Sequence, residues 1–192
     1  MSWENTQLMT SVNRLERALG DPDDVASWLN IQSVLSNDEQ QQCSESDTQY
    51  LTAYGIHKLF IPASEGGDLH RFDEMMWLFR SIFRRDPAVA VSYGITTFMG
   101  AIPVWIFGSK AQKDKLAAII QSGGSVSVAY HEKQNGNDLA ASTLTATVKD
   151  DTLYLNGQKW IINNATVSHA LTVFVKTGAT QQQAKDFTCC IL

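Results

Sequence analysis

The feature that most constrains this chain is a change of hydrophobic period near Gly124. Upstream, apolar residues return every three or four positions, most plainly at Phe72, Met75, Met76, Phe79, Ile82 and Phe83, which puts them on one face of a helix. Downstream the spacing is two: Leu144, Ala146 and Val148 alternate with polar or small residues, and Leu153 and Leu155 do so beyond Asp150-Asp151. A chain that is helical first and stranded later belongs to the α+β class. The expectation is an N-terminal α-helical bundle domain over residues 1–124, followed by a partial antiparallel β-barrel-like domain over residues 125–192.

Local punctuation refines this. Gly20-Asp21-Pro22 should separate helices over 3–19 and 24–35, and a third helix is expected over 37–54. Asp86 and Pro87 supply an N-cap acceptor and a first-turn residue with φ already helical, so a helix should begin there, bent or split at Gly100 and Pro103. Ser109 and Gln112 have capping-box spacing, with Gly123-Gly124 as the stop. Strands are expected at Val126 to Tyr130, across a hairpin turn at Asn156-Gly157, and at Lys159 to Ile162, Leu171 to Val175 and Phe187 to Leu192.

Composition excludes several functions. The 192 residues are 44% hydrophobic, enough for a core, and a formal charge of −5 with no long basic run argues against nucleic acid as a partner. Cys43, Cys189 and Cys190 are odd in number and two are neighbours, so a reducing, cytoplasmic setting without a disulfide framework is expected. Met1 to Leu19 mixes charges with apolar residues and reads as an amphipathic helix rather than a secretion signal. Pro87 to Gly108 carries no charge and is long enough to cross a bilayer, but Ser92, Gly94, Thr96, Thr97, Gly100 and Pro103 interrupt it, which suits the centre of a bundle better than a membrane span. His57, His70, His131 and His169 lack metal-ligand spacing, and no nucleophile elbow or phosphate-binding glycine loop occurs. Arg80, Arg84 and Arg85 read as the polar face of their helix, and Phe98 and Trp105 as core. The chain stops inside the apolar run Phe187 to Leu192, so a longer protein or another chain is expected to cover that edge.

Four collinear segments resemble the acyl-CoA dehydrogenase family. Tyr54 to Gly67 is similar to the family's LGLxGLxVPEEYGG, and Phe107 to Lys113 to FGTEEQK. Ala129 to Leu139 falls at the place of ALTEPGAGSDL, and Leu155 to Ala165 at the place of LNGTKMWITNG. The resemblance implies an N-terminal helical domain, a middle β-domain and a C-terminal helical bundle, with FAD between the last two. It also implies removal of the α-proton of an acyl-CoA or acyl-carrier thioester by a carboxylate while the β-hydride goes to the flavin, and electron-transfer flavoprotein and a homo-oligomer as possible associations.

Carried over residue by residue, the resemblance implies a cofactor-binding set of Val128, Tyr130, His131, Asn137, Ile161 and Asn163, with Asn137 also toward substrate. His131 stands where the family has a flavin-bonding threonine, Asn163 replaces the threonine near flavin N5, Asn137 replaces a serine, and Lys133 replaces a proline. Ile161 replaces the stacking aromatic, which forfeits about 0.5–1.5 kcal/mol of ring contact and weakens the expected FAD site. Asn137 and Asn163 can still donate hydrogen bonds. Lys133 could meet a phosphate or be a solvated surface lysine. Glu132 matches a structural glutamate of the family and is not expected to be the base, which in most of the family lies in the C-terminal bundle, so no catalytic residue is assigned. Two other readings fit the same substitutions: a non-catalytic binding or assembly module, and a flavin oxidase or monooxygenase on this scaffold.

Overall fold

A computed structural model describes residues 6–178 and 187–192. The chain divides into two compact units, one running to Ile95 and one from Thr96.

The first unit contains α1 (Thr6–Leu19), α2 (Ile31–Glu39), α3 (Glu45–Tyr54), α4 (Phe72–Phe83) and the short α5 (Pro87–Val89), which continues into a π-helical segment, Ala90–Ile95. The helical face anticipated over 72–83 is α4: Met75, Phe79 and Ile82 are fully buried, as are Leu15, Leu19, Leu51 and Phe60. Phe60 and Phe79 meet at 5.5 Å between ring centres. The π-helical segment brings Gly94 against α4 so closely that a Cβ there would sit 1.9 Å from the Phe79 ring. The expected cap holds, since Asp86 Oδ1 accepts from Val89 N at 3.0 Å ahead of Pro87.

Three expectations in this unit are corrected. No helix spans 24–35; Asp21 and Asp24 each accept a hydrogen bond from a backbone N–H two residues on, holding the segment in turns, and α2 starts only after Asn30 caps it by accepting from Ser33 N. The expected helix over 37–54 is broken after Glu39 and restarts where Ser44 Oγ accepts from Asp47 N. Arg85 does not lie on a polar face. Its side chain is 3% exposed and donates to Glu16 Oε2 at 2.7 Å and to the carbonyl of Gly20 at 2.7 Å.

The second unit contains α6 (Thr96–Phe107), α7 (Lys110–Gln121) and strands β1 (Val126–Ala129), β2 (Thr145–Lys149), β3 (Thr152–Asn156), β4 (Ala170–Lys176) and β5 (Phe187–Ile191). The strand order is β1-β4-β2-β3, with β5 also paired to β4, so the described sheet is not closed. The pairings β2–β3 and β4–β5 are antiparallel as expected, but β1–β4 and β2–β4 are parallel, because long excursions rather than tight turns join those strands. Ala129, Leu144, Ala146, Val173 and Val175 form the buried core of the sheet, with Leu155, Ile162, Leu171 and Cys190 packed on it.

The anticipated capping box is present at Ser109 and Gln112. Gly100 neither bends nor splits α6, which runs through it and through Pro103. Its role is close approach: Thr172 Oγ1 donates to the Gly100 carbonyl at 2.6 Å, and a Cβ at Gly100 would lie 2.8 Å from the Ser127 carbonyl oxygen. Because α6 packs on β1, the division by packing falls before Thr96 whereas the change of hydrophobic period falls at Gly124. Among the described residues, Pro87–Phe107 is the one helical stretch long and apolar enough to cross a membrane.

The hairpin turn is also displaced. β2 and β3 pair from Thr145↔Asn156 to Lys149↔Thr152, leaving Asp150 and Asp151 as the two-residue turn, with φ of +49° and +57°. Gly157 instead closes the end of β3 at φ +140°, where a Cβ would meet the Leu144 backbone at 2.7 Å. Lys159 to Ile162 is consequently a loop rather than a strand.

Candidate functional site

Two segments meet beside the end of β1: the loop from Tyr130 to Thr143, and the loop from Gln158 to Asn163. Glu132 and Lys159 join them. Their side chains are 3% and 5% exposed and form an ion pair at 2.9 Å. Glu132 also accepts from Ser142 Oγ at 2.6 Å, Thr143 Oγ1 at 2.7 Å and Thr143 N at 2.8 Å. Leu144 N and Asn135 Nδ2 each add a bond at 3.0 Å. Lys159 Nζ further donates to the Tyr130 carbonyl at 3.1 Å and to Ser142 Oγ at 2.8 Å. Burial alone would raise the Glu132 pKa, but the bonds from Ser142, Lys159 and Thr143 outweigh it and hold the carboxyl far below the usual range. A carboxylate so saturated is a fastener, in keeping with the structural role implied for it, and has no lone pair to spare for a substrate proton.

The fastener shapes a hollow of about 410 Å³ lined by His131, Glu132, Lys133, Gly136, Asn137, Trp160 and Ile161. On one side the His131 carbonyl accepts from Trp160 N at 2.9 Å, and His131 Nδ1 lies 3.3 Å from the Gly136 carbonyl. On the other, Ile161 is 77% exposed and held at φ +56°, a conformation that β-branched residues rarely adopt. Lys133 Nζ stands 5.0 Å from the centre of the Trp160 ring.

Of the six residues in the expected cofactor set, His131, Asn137 and Ile161 line this hollow. Asn163 is exposed nearby, its carbonyl accepting from Ser127 Oγ at 2.7 Å. Val128 is half-buried within β1. Tyr130 turns its ring to Phe174, edge-on at 5.9 Å, and lines a different cavity. Sequence reasoning missed Lys159 and Trp160. Lys159 had a signal: a single charge beside the apolar run Trp160 to Ile162 must find a buried partner or leave the core.

The chain matches a known architecture over its length. The family model for the acyl-CoA dehydrogenase N-terminal domain matches residues 31–124, and that for the middle domain matches residues 127–192. The very long-chain specific acyl-CoA dehydrogenase of Macaca fascicularis mitochondria is 28% identical over 153 residues, covering 78% of this chain and 23% of the relative. Butyryl-CoA dehydrogenase from Megasphaera elsdenii superposes with a TM-score of 0.80 at 22% identity, over 100% of this chain and 50% of that one. Prolyl acyl carrier protein oxidase AnaB gives a TM-score of 0.80 at 19% identity, over 98% of this chain and 48% of that one. The chain belongs to the acyl-CoA dehydrogenase family, and it spans about half the length of the solved relatives and about a quarter of that curated one.

The family implies FAD, and the donor set at the hollow fits a flat, polar-edged ring. The Asn137 side-chain amide at the hollow, the Asn163 amide near it and the His131 backbone N–H have no protein partner among the described residues, so they are open to a ligand. The exposed Ile161 and the Trp160 indole, 42% exposed, supply apolar surface next to them.

Proposed function

We propose that this chain forms the flavin-facing and substrate-facing part of an FAD-dependent oxidoreductase acting on the CH–CH bond of an acyl thioester. The observation that carries this reading is the hollow built by the Glu132–Lys159 pair, where unpartnered amide donors sit beside an exposed apolar surface. FAD, when bound, would supply the two-electron redox chemistry. The chain's own residues would position it: Asn163 and the His131 N–H by donating to the ring edge, Ile161 and Trp160 by covering a face, and Asn137 by donating toward a phosphate or the thioester carrier.

Glu132 is not the base, and no other residue of this chain is assigned that role. The acyl group could travel on CoA or on an acyl carrier protein, since relatives named for both share the fold. An electron-transfer flavoprotein or oxygen would take the electrons onward, and a homo-oligomer is the form in which we place the complete enzyme.

A second reading, a non-catalytic module on the same scaffold, draws on Ile161, which cannot stack as an aromatic ring does. An absorbance spectrum of the purified protein, before and after FAD and then a series of acyl-CoA thioesters, separates the two. The enzyme reading expects flavin bands that stay with the protein after free FAD is removed and that shift when a thioester binds. A protein that carries no flavin bands once it has been separated from excess FAD supports the module instead.

A further inference from the structure

In the first unit, α2 and the turns ahead of it present a surface that the proposed flavin site does not use. α2 buries none of its 9 residues, although Ile31 and Leu35 stand one turn apart on one face. Both are exposed, as are Val25 and Trp28 in the preceding turns. Those turns fold back onto the start of the helix. Ile31 N donates to the Pro22 carbonyl at 2.9 Å, and Asn30 Nδ2 donates to the carbonyls of Val25 and Ser27 at 3.3 and 2.9 Å. Trp28 is held by stacking on Tyr50, 4.2 Å between ring centres. A helix this short is marginal in water unless an apolar face is packed, and exposed apolar side chains gathered in one place mark an interaction surface.

The charge around this face states what kind of molecule it suits. Between Arg17 and His57 the sequence has seven acidic residues and no basic one, a formal −7 against −5 for the whole chain. Asp21, Asp23 and Asp24 lie in the turns at the start of α2, and Asp38 and Glu39 close its last turn, on the side of Ile31 and Leu35 by helical spacing. All five are exposed, and none of them forms an ion pair among the described residues. Asp38 and Glu39 also work against α2 itself, because carboxylates at a helix C-terminus oppose its dipole. A cation brought to that end relieves the repulsion.

We infer that this face docks a cationic amphipathic helix of a partner protein. Its apolar residues, at three- and four-residue spacing, lie along Val25, Trp28, Ile31 and Leu35, and its lysines or arginines reach the acids at the two ends of α2. Two other occupants bring the wrong charge. A second copy of this chain, related by a twofold axis, would set these acids against their own copies, and an anionic lipid surface would repel them. The inference is independent of the flavin.

The test uses three labelled peptides of about 18 residues, long enough to be helical. One carries leucines at helical spacing on a lysine background, one has glutamate in place of lysine, and one is a scramble of the first. Fluorescence anisotropy on the full chain should show the patterned lysine peptide binding at about tenfold lower concentration than the scramble, with an affinity that falls as salt is added. Hydrogen exchange should slow from Val25 to Glu39 in its presence and stay unchanged in α4. The double variant Ile31→Ser, Leu35→Ser should abolish the preference over the scramble, and Asp38→Asn, Glu39→Gln should weaken binding and flatten its salt dependence. Should either variant fail to fold, the preference of the native protein together with protection at α2 decides. Equal binding of the scrambled or glutamate peptide, or exchange at α2 that is indifferent to the lysine peptide, overturns the inference. Self-association of the chain, or co-sedimentation with phosphatidylcholine vesicles, that is lost in Ile31→Ser, Leu35→Ser assigns the face to a second copy or to lipid and overturns it as well.

Discussion

At the residue scale, the site depends on one buried ion pair. Glu132→Gln removes a charge while Lys159 stays buried at 5% exposure, and this should cost about 3–5 kcal/mol of stability. Urea denaturation would measure it, and the double variant Glu132→Gln, Lys159→Met should recover a good part of the loss, because no unpaired charge remains. The same pair sets an acid limit. The folded-state pKa of Glu132 is depressed, so its stabilisation is complete above the unfolded carboxylate value of about 4.3 and is lost as pH falls from there toward the folded value. Thermal melts between pH 7 and pH 3 should fall steeply below about pH 4.5 in the native protein and less steeply in Glu132→Gln.

Ile161 is the other residue to watch. At φ +56° it carries backbone strain, and Ile161→Gly should stabilise the protein by about 0.5–1 kcal/mol in a denaturant titration without flavin. Strain of this kind persists where the surroundings impose it, and the preceding residue is tied down by the hydrogen bond from Trp160 N to the His131 carbonyl. The family resemblance drew attention to positions 131, 137 and 161, which the structure gathers in one hollow. What it did not supply was the pairing of Glu132 with Lys159. Sequence distance hides a contact made across 27 residues by two loops.

At the scale of elements, α4 was legible from its apolar stripe and α7 from its capping box, and both begin and end close to where those signals put them. Turns were less so. Asn156-Gly157 carries the stronger local preference for a hairpin, yet Asp150-Asp151 makes the turn, because only that choice pairs Ala146 with Leu155 on the buried side of the sheet. Two adjacent aspartates at positive φ are a costly turn. Asp151→Gly should therefore raise the melting temperature, by about 0.5–1 kcal/mol of stability in an equilibrium unfolding experiment. An unchanged or lowered midpoint would mean that the aspartate side chain contributes more than its backbone costs.

At the scale of the whole molecule, the order helices then strands follows from the period change alone, but the parallel pairing of β1 with β4 does not. Parallel neighbours are joined by long excursions whose course depends on tertiary packing, here that of α6 against β1. Family membership accounts for the architecture.

The central claim is that the loops 131–137 and 160–163 hold a flavin. Hydrogen exchange on the full chain, with and without saturating FAD, measures this directly. The account predicts slowed exchange at the His131 amide and through both loops, with the helices α1 to α4 unchanged. Exchange in both loops that is indifferent to FAD, or protection confined to other parts of the chain, would contradict it.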